Sequence, residues 1–147
     1  MRALSIRQPW AELILRGVKT VEYRSRTTRL VGERFWIYAA GQWPVSAPAR
    51  RDLERATRIW SRDLAMPTGT DGPPPWMIEL MAQVLGREDL PTGVIVGSAV
   101  IDRVTGPSDE DGLYRWHLTG VRRARTLRKP LRHPQPGWFD PFGKRAA

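Results

Sequence analysis

The run from Val94 to Ile101 limits the fold of this chain more than any other segment. Five of its eight residues are β-branched, and such side chains favour the extended backbone of a strand. Pro91-Thr92-Gly93 precedes the run as a turn, and Gly97 inside it indicates a bend or the close approach of another backbone. The run is long enough to cross a barrel or a central sheet, and we predict a strand there.

Five more segments have the apolar or alternating pattern of a strand. In the second of these, Val21 and Tyr23 share the face that we expect to pack inward, whereas Thr20, Glu22 and Arg24 share the face that remains available. The third is apolar enough for a central strand. The five segments are residues 3–6, 19–24, 34–40, 113–118 and 121–129.

Three segments have helical spacing. The first begins after Pro9 and ends near Arg16, with Gly17 as its stop. The second runs from Pro48 to Leu64, and the third covers residues 77–85 after a turn-forming loop at 66–75. Strands at both ends with helices between them predict an α+β fold, a small and mainly antiparallel barrel with two or three helices.

The length favours one domain over residues 1–147, with a helical insertion at about 42–90 and a flexible tail from about 144. The chain has no cysteine, which excludes disulfides, thiolate metal sites and cysteine nucleophiles. No apolar run approaches the roughly 18–20 residues of a membrane span, and the N-terminus turns polar too early for a signal peptide. We therefore expect a soluble cytoplasmic protein that does not bind membranes.

The charge is strongly positive and unevenly distributed. Lys and Arg number 24 against 15 Asp and Glu, a net charge of +9, and 21 of the basic residues are Arg. A GC-rich genome alone could produce that Arg excess, but the net charge is +5 over residues 1–40, +8 over 113–147 and −6 over 66–112. A basic surface built from the two ends favours a polyanion partner, and a solvated arginine-rich surface is the alternative.

Eight arginines are candidates to follow a phosphate backbone. Four lie on one face of the second predicted helix, opposite its apolar stripe, where they either track phosphates or simply solubilise the helix. The eight are Arg26, Arg51, Arg55, Arg58, Arg62, Arg122, Arg125 and Arg128.

Four polar residues follow the first predicted helix: Lys19, Thr20, Glu22 and Arg24. Lys19 is notable because this chain uses Arg almost everywhere else, and a site that needs a point charge or an amine able to lose its proton cannot use guanidinium. Such a set can position an anionic or amide-bearing ligand. Ordinary surface ion pairs, Lys19–Glu22 or Glu22–Arg24, are the alternative.

The same residues carry a resemblance to a known family. Gly17, Lys19, Glu22 and Arg24 form a G-x-K-x-x-E-x-R pattern after Gln8-Pro9-Trp10, which resembles the signature of ASCH domains in the PUA-like superfamily. The segments Pro91–Gly97 and Gly137-Trp138, with Trp116 between them, are similar to later parts of that family's pattern. About three quarters of the chain is covered, and residues 42–90 look like a family-variable insertion.

The resemblance implies a PUA-like barrel whose cleft, lined by the G-x-K-x-x-E-x-R segment, takes RNA or a nucleotide-like ligand. Family members include RNA-binding modules, metal-dependent ribonucleases and an amidohydrolase that deacylates N4-acetylcytidine with Lys, Thr and Glu. This chain has Glu22 where that amidohydrolase places its Thr, and Thr20 is out of register. A hydrolase would therefore have to divide the roles differently among Lys19, Glu22 and Thr20.

We expect an RNA-binding protein, with two alternatives. One is an RNA-directed hydrolase in which Lys19, Glu22 and Thr20 are catalytic and a ribonuclease would need a divalent cation. The other is a protein-interaction module that uses the proline-rich loop and the acidic middle of the chain. We expect no resident cofactor and no metal site, because the acids at 109–111 are adjacent and solvated. The candidate ligand-binding residues are Ser5, Gln8, Pro9, Trp10, Lys19, Glu22, Arg24, Tyr38, Ser98 and His117.

Overall fold

Six strands and two helices occur in the part of the chain that the structure describes. This computed structural model describes residues 1–41, 47–63, 79, 83 and 90–143. The elements are β1 (Ala3–Arg7), α1 (Trp10–Leu15), β2 (Val21–Arg24), β3 (Arg34–Ala40), α2 (Ala47–Asp63), β4 (Val94–Thr105), β5 (Tyr114–Arg128) and β6 (Trp138–Phe139).

The strands form one sheet in the order β2-β5-β4-β3-β1-β6. Only β1 and β3 pair in parallel, and the other neighbours are antiparallel. Trp116 on β5 nevertheless stacks on Trp138 of β6, with ring centroids 5.7 Å apart and planes 10° apart. Because β5 is the second strand in the order and β6 the last, this contact requires the sheet to curl. The predicted α+β, mainly antiparallel barrel is confirmed as a curled half-barrel.

The curl encloses the main core, and α1 covers one side of it. The core contains Leu4, Ile14, Phe35 and Ile101, each 1% exposed or less. Trp138 meets the ring of Phe35 edge to face at 5.2 Å. Trp138 therefore ties β6 to the core.

Gly97 is the point at which α1 approaches the sheet. A Cβ built at this glycine would lie 2.5 Å from Leu15 Cδ2 at the end of α1, and still closer to the carbonyl oxygen of Arg122. The predicted close approach of another backbone is confirmed. Gly97 thus sets the depth at which the helix packs on β4 and β5.

The prediction of two strands at 113–118 and 121–129 is wrong, because β5 runs through both. The pairing with β4 changes register between Ser98 and Val100, and Gly120 on β5 has a φ of +56°. A left-handed glycine that adds one residue to a strand forms a bulge, which bends the strand without ending it. The guanidinium of Arg34 donates to the Gly120 carbonyl at 2.8 Å and braces the bend.

Residues Gln42–Leu90 form a compact unit of their own, separate from the unit made by Met1–Gly41 and Pro91–Ala147. In α2, Trp60 and its neighbour Ile59 are buried. The predicted loop at 66–75 and the tail from 144 lie outside the described residues. So does the third predicted helix, except that Glu79 and Gln83 have helical backbone. Neither described helix is long and apolar enough to cross a membrane.

Candidate functional site

Lys19, Glu22 and Arg24 form one charged cluster at the inner side of the curl. Lys19 Nζ lies 3.9 Å from Glu22 Oε2, and Arg24 Nε lies 3.5 Å from Glu22 Oε1. Lys19 is 3% exposed and Glu22 is 8% exposed. The three groups therefore meet below the surface, with the carboxylate between the two cations.

The end of α1 places Lys19 in this cluster. Gly17 leaves the helix with a φ of +74°, a conformation that other residues adopt at a cost. The carbonyl oxygen of Leu13 then accepts hydrogen bonds from the N–H groups of both Val18 and Lys19, each at 3.1 Å. The chain turns back at this point, and the Lys19 ammonium donates to the Val21 carbonyl at 2.5 Å.

An ion pair between a buried carboxylate and an exposed guanidinium holds α1 itself against the sheet. Glu12 in α1 is 6% exposed, and both of its carboxylate oxygens accept from the Arg123 guanidinium, at 2.7 and 3.0 Å. A two-point guanidinium–carboxylate contact fixes orientation as well as distance. The helix end that carries Lys19 is therefore anchored to β5.

Two aromatic rings flank the Lys19 ammonium. Nζ lies 5.6 Å from the ring of Trp10 and 5.2 Å from the ring of Tyr23, both within cation–π range. The Arg115 guanidinium also lies 5.2 Å from the Tyr23 ring. Both aromatic residues are half-buried. Sequence reasoning missed Tyr23 as a site residue because the strand alternation assigned it only to packing.

Arg24 connects the two ends of the curl. Its NH2 group donates to the Ser5 carbonyl of β1 at 2.7 Å, and its guanidinium lies 5.8 Å from the Trp116 ring. The Ser5 hydroxyl in turn donates to the Gln135 carbonyl at 2.7 Å. The edge strand β2 is thereby joined to β1, four places away in the sheet order.

Two polar atoms of the cluster have unused hydrogen-bonding capacity. Glu22 Oε2 and Arg24 Nε are buried and form no hydrogen bond with any residue that the structure describes. Leaving a buried polar atom unpaired costs about 1–3 kcal/mol. The cluster thus offers an acceptor and a donor side by side, to water or to a ligand.

Burial lowers the pKa of Lys19 from its usual value of 10.5. The loss of hydration is the main cause, Glu22 opposes it by stabilising the charged form, and Arg24 adds a smaller repulsion. The amine is therefore easier to deprotonate than a surface lysine.

This shift predicts a pH dependence of stability that comes from one residue. Between the lowered pKa and 10.5, the unfolded chain binds more protons at Lys19 than the folded chain does, so folding becomes more favourable as pH rises through that range. We expect wild type to gain stability relative to Lys19→Met between pH 7 and 10 in urea denaturation. A difference that stays constant over this range would contradict the prediction.

The predicted faces of β2 are the reverse of what the structure shows. Glu22 is the most buried residue of the strand, and Val21 and Tyr23 are half-buried. Thr20 is exposed and precedes the strand, so it does not join the buried cluster. The reason is that the inner side of this edge strand meets Lys19 and the β1 backbone, where polar groups compensate one another.

Gln8 and Pro9 fix the backbone at the start of α1, the helix that precedes the cluster. Gln8 is 4% exposed; its amide donates to the Pro91 carbonyl at 3.0 Å, and its side-chain oxygen accepts from the Glu12 N–H at 3.0 Å. Pro9 is buried in the position before α1. Both residues shape the start of the helix that leads to Lys19.

Three other predicted ligand residues have contacts elsewhere. Tyr38 is buried in a second core, where its ring meets Phe139 edge to face at 5.4 Å. Ser98 accepts from Arg34 at 3.0 Å. His117 lies opposite Val21 of β2, and its Nε2 is 2.8 Å from the Thr105 hydroxyl. Only His117 is next to the strand that carries the cluster.

All eight predicted phosphate-contacting arginines are exposed. The Arg26 carbonyl accepts from the Trp116 indole at 3.0 Å, so its backbone is fixed beside the cluster strand. Arg128 lies over the rings of Trp36 and Phe142, at 5.3 and 4.3 Å. Arg122 and Arg125 lie on the same strand, and the other four are on α2 in the separate unit: Arg51, Arg55, Arg58 and Arg62.

The acids at 109–111 are not gathered around a cation. Asp111 pairs with the Arg115 guanidinium at 2.7 and 2.8 Å and accepts from the Leu113 N–H at 2.8 Å. Among the residues that the structure describes, no three acidic or histidine side chains lie close enough together to hold a metal ion.

A curled, mainly antiparallel half-barrel, with a short helix after its first strand and a charged cluster behind that helix, defines a small α+β domain of the half-barrel type. The model of the ASCH domain family matches residues 4–133. The chain therefore belongs to the ASCH domain family, a family of the general RNA-binding type, and the resemblance seen in the sequence is confirmed.

The structure of a serine-to-alanine mutant of ZmASCH from Zymomonas mobilis is similar over 87% of this chain and 72% of that chain, with 14% identity and a TM-score of 0.46. No curated protein matches this chain in sequence.

Proposed function

We propose that this domain binds RNA by holding one unpaired nucleotide at the cluster of Lys19, Glu22 and Arg24. The proposal depends most on one observation, the buried carboxylate oxygen of Glu22 that has no hydrogen-bond donor in the described protein. A nucleobase presents N–H donors on its edge, and such a donor would satisfy that oxygen. The lysine and arginine beside it supply donors for carbonyl or ring-nitrogen acceptors on the same edge.

The surroundings of the cluster favour a flat ligand. Trp10 and Tyr23 are half-buried rings next to Lys19, and a base stacked on an aromatic side chain contributes about 1–3 kcal/mol to binding. A base inside a duplex could not reach groups this deeply buried, because its edge is paired and its faces are stacked. The ligand is therefore unpaired, as in most sequence-specific RNA recognition.

The charge supports a phosphodiester chain rather than a free base. The net charge is +9, and Arg26, Arg122 and Arg125 are exposed in the unit that contains the cluster. Each phosphate that a basic side chain neutralises releases counterions and adds to the affinity at low salt.

Lys19→Met tests the proposal, because methionine keeps the length and packing of the side chain and removes the charge. With a fluorescein-labelled ten-nucleotide single-stranded RNA of mixed sequence, we expect anisotropy to show at least about a tenfold loss of affinity, or 1.4 kcal/mol. Because this change also removes one of the two cations that pair with Glu22, some stability should be lost, so the affinities are compared at a temperature at which circular dichroism shows both proteins to be folded.

Arg103→Gln is the control for this experiment. It removes one positive charge from a side chain that is 63% exposed on β4 and paired with Asp102, so affinity should stay within about twofold of wild type. Log affinity for wild type should fall linearly with log salt. A flat salt dependence, or equal binding by wild type and Lys19→Met, would refute RNA binding at the cluster.

The lowered pKa of Lys19 favours a second candidate, an RNA-directed hydrolase. A neutral amine can act as a general base, and the neighbouring Glu22 carboxyl can transfer a proton. Thr20 is exposed outside the cluster, so Lys19 and Glu22 would carry the chemistry. Incubation with labelled RNA, with and without Mg²⁺, and separately with N4-acetylcytidine tests this candidate. Absence of turnover in all three reactions at high enzyme concentration would reject it.

A further inference from the structure

Apart from the cluster, a hollow of about 400 Å³ opens where β1 begins and β6 ends. Its walls come from the start of β1, from the segment before β6 and from the residues that follow β6. None of them belongs to the cluster of Lys19, Glu22 and Arg24. The residues that matter for its chemistry are Arg2, Arg132, His133, Gln135, Trp138 and Asp140.

Two arginines and a histidine supply the hydrogen-bond donors that line the hollow. Arg2, Arg132 and His133 are all exposed, and Asp140 is the single acid among the lining residues. The pairing of β1 with β6 puts Arg2 directly after Ala3 and Asp140 directly after its partner Phe139, so the acid faces the Arg2 side. An anion would therefore bind on the side of Arg132 and His133.

The segment that carries Arg132 and His133 is fixed at both ends. The N–H groups of Leu131 and Arg132 both donate to the Pro141 carbonyl, at 2.8 and 3.1 Å. At the other end, the Gln135 carbonyl accepts from the Ser5 hydroxyl at 2.7 Å. A rim held at two points loses little conformational entropy when it binds a ligand.

Gly143 positions the Arg132 guanidinium. This glycine has a φ of +80°, and a Cβ there would come within 3.2 Å of both Nε and NH2 of Arg132. The guanidinium thus lies against bare backbone at the edge of the hollow. Its planar donors suit the oxygens of a phosphate better than a single-point ammonium would.

Ser5 links this hollow to the cluster. Its carbonyl oxygen accepts from Arg24, and its hydroxyl donates to Gln135 on the rim. Arg2 lies three residues before Ser5, just outside β1, which corresponds to about 10 Å of extended chain. A ligand that begins at the cluster and continues along β1 therefore reaches the cationic wall after a short distance.

We infer that this hollow binds a phosphate of the same RNA strand whose unpaired nucleotide occupies the cluster. The inference rests on the proposed function, and it adds a second contact point and a direction for the strand, from Lys19 across Ser5 towards Arg132. The chemical class that the hollow selects is a phosphodiester, held by the Arg132 guanidinium with His133 beside it.

Amide chemical shifts of ¹⁵N-labelled protein separate the two contact points. Uridine has a base and a sugar but no phosphate, and at millimolar concentration it should shift amides within residues 19–24 only. A ten-nucleotide oligouridylate should shift these amides and also those of Arg132, His133 and Gln135.

Arg132→Gln measures the contribution of the hollow to affinity. For the oligouridylate, we expect a three- to tenfold loss of affinity and a decrease of about 0.7 in the slope of log affinity against log salt, the value for one phosphate on a single strand. Uridine binding and the melting temperature should not change. Arg103→Gln, which removes a positive charge from β4, should leave the affinity and the slope close to those of wild type.

The outcomes distinguish this inference from the proposed function. If the oligonucleotide shifts residues 19–24 but not 132–135, and Arg132→Gln binds like wild type, the hollow is not a phosphate site and the proposed function stands. If residues 19–24 do not shift with either probe, the proposed function fails. Shifts confined to 132–135 would also overturn the inference, because the hollow would then not extend the cluster.

Discussion

Gly97→Ala is expected to destabilise the domain by about 3 kcal/mol or more, which is at or above the upper end of ordinary overpacking. The new methyl group would lie 2.5 Å from Leu15 Cδ2 and closer still to the Arg122 carbonyl oxygen. Leu15 can change rotamer, but the carbonyl belongs to the paired backbone of β5. To accommodate the methyl group, β4 and β5 must therefore separate or α1 must move away from them.

Urea denaturation of Gly97→Ala beside Gly112→Ala measures this effect. Gly112 has a φ of +72° and open space around a built Cβ, so its replacement should cost only the 1–2 kcal/mol of a left-handed non-glycine residue. Leu15→Ala in the Gly97→Ala background should recover part of the loss, because it removes one of the two clashes. If Gly97→Ala is no less stable than Gly112→Ala, the close packing of α1 on the sheet is refuted.

Glu22→Leu is expected to destabilise the protein by about 3–5 kcal/mol, the usual cost of removing one partner from a buried ion pair. The carboxylate lies between the Lys19 ammonium and the Arg24 guanidinium, at 3.9 and 3.5 Å. Without it, two cations remain close together with little water to screen them. Leucine fills most of the volume, so the loss reports charge rather than a cavity.

A double-mutant cycle with Lys19→Met isolates this effect. In the double variant the only charge left from the cluster is Arg24, which still donates to the Ser5 carbonyl, and part of the lost stability should return. The expected coupling energy between the two positions is about 1–3 kcal/mol, in the range found for residues in direct contact. Strictly additive losses in urea denaturation at pH 7 would show that Lys19 and Glu22 do not interact.

Local sequence patterns predict most of the elements of this fold because they depend on neighbouring residues. The β-branched run from Val94 specifies β4, the apolar run from Arg34 specifies β3, and Gly17 ends α1 as its left-handed conformation allows. The spacing of Lys19, Glu22 and Arg24 also identifies the residues that meet in the cluster. In each case the information lies within a few positions along the chain.

The errors arise where distant parts of the chain decide the environment of a residue. The alternating sequence pattern of β2 does not predict that its polar side faces inward. The groups that compensate the buried charges come from the Ser5 backbone of β1 and from the end of α1. The bulge at Gly120 is likewise visible only when β4 supplies the register against which the extra residue is counted.

The sequence by itself determined the class of fold, the family and the three charged residues at the centre of the candidate site. Only the tertiary structure decided that Glu22 is buried between two cations, that Tyr23 lies beside Lys19, and that Ser5 joins the cluster to a cationic hollow near the C-terminal strand. The physical reason is that the spacing of apolar and polar residues indicates only which side of a helix or strand a residue occupies. What covers that side depends on how the sheet curls, and contacts such as Trp116 with Trp138 and Arg24 with Ser5 join residues far apart in the chain.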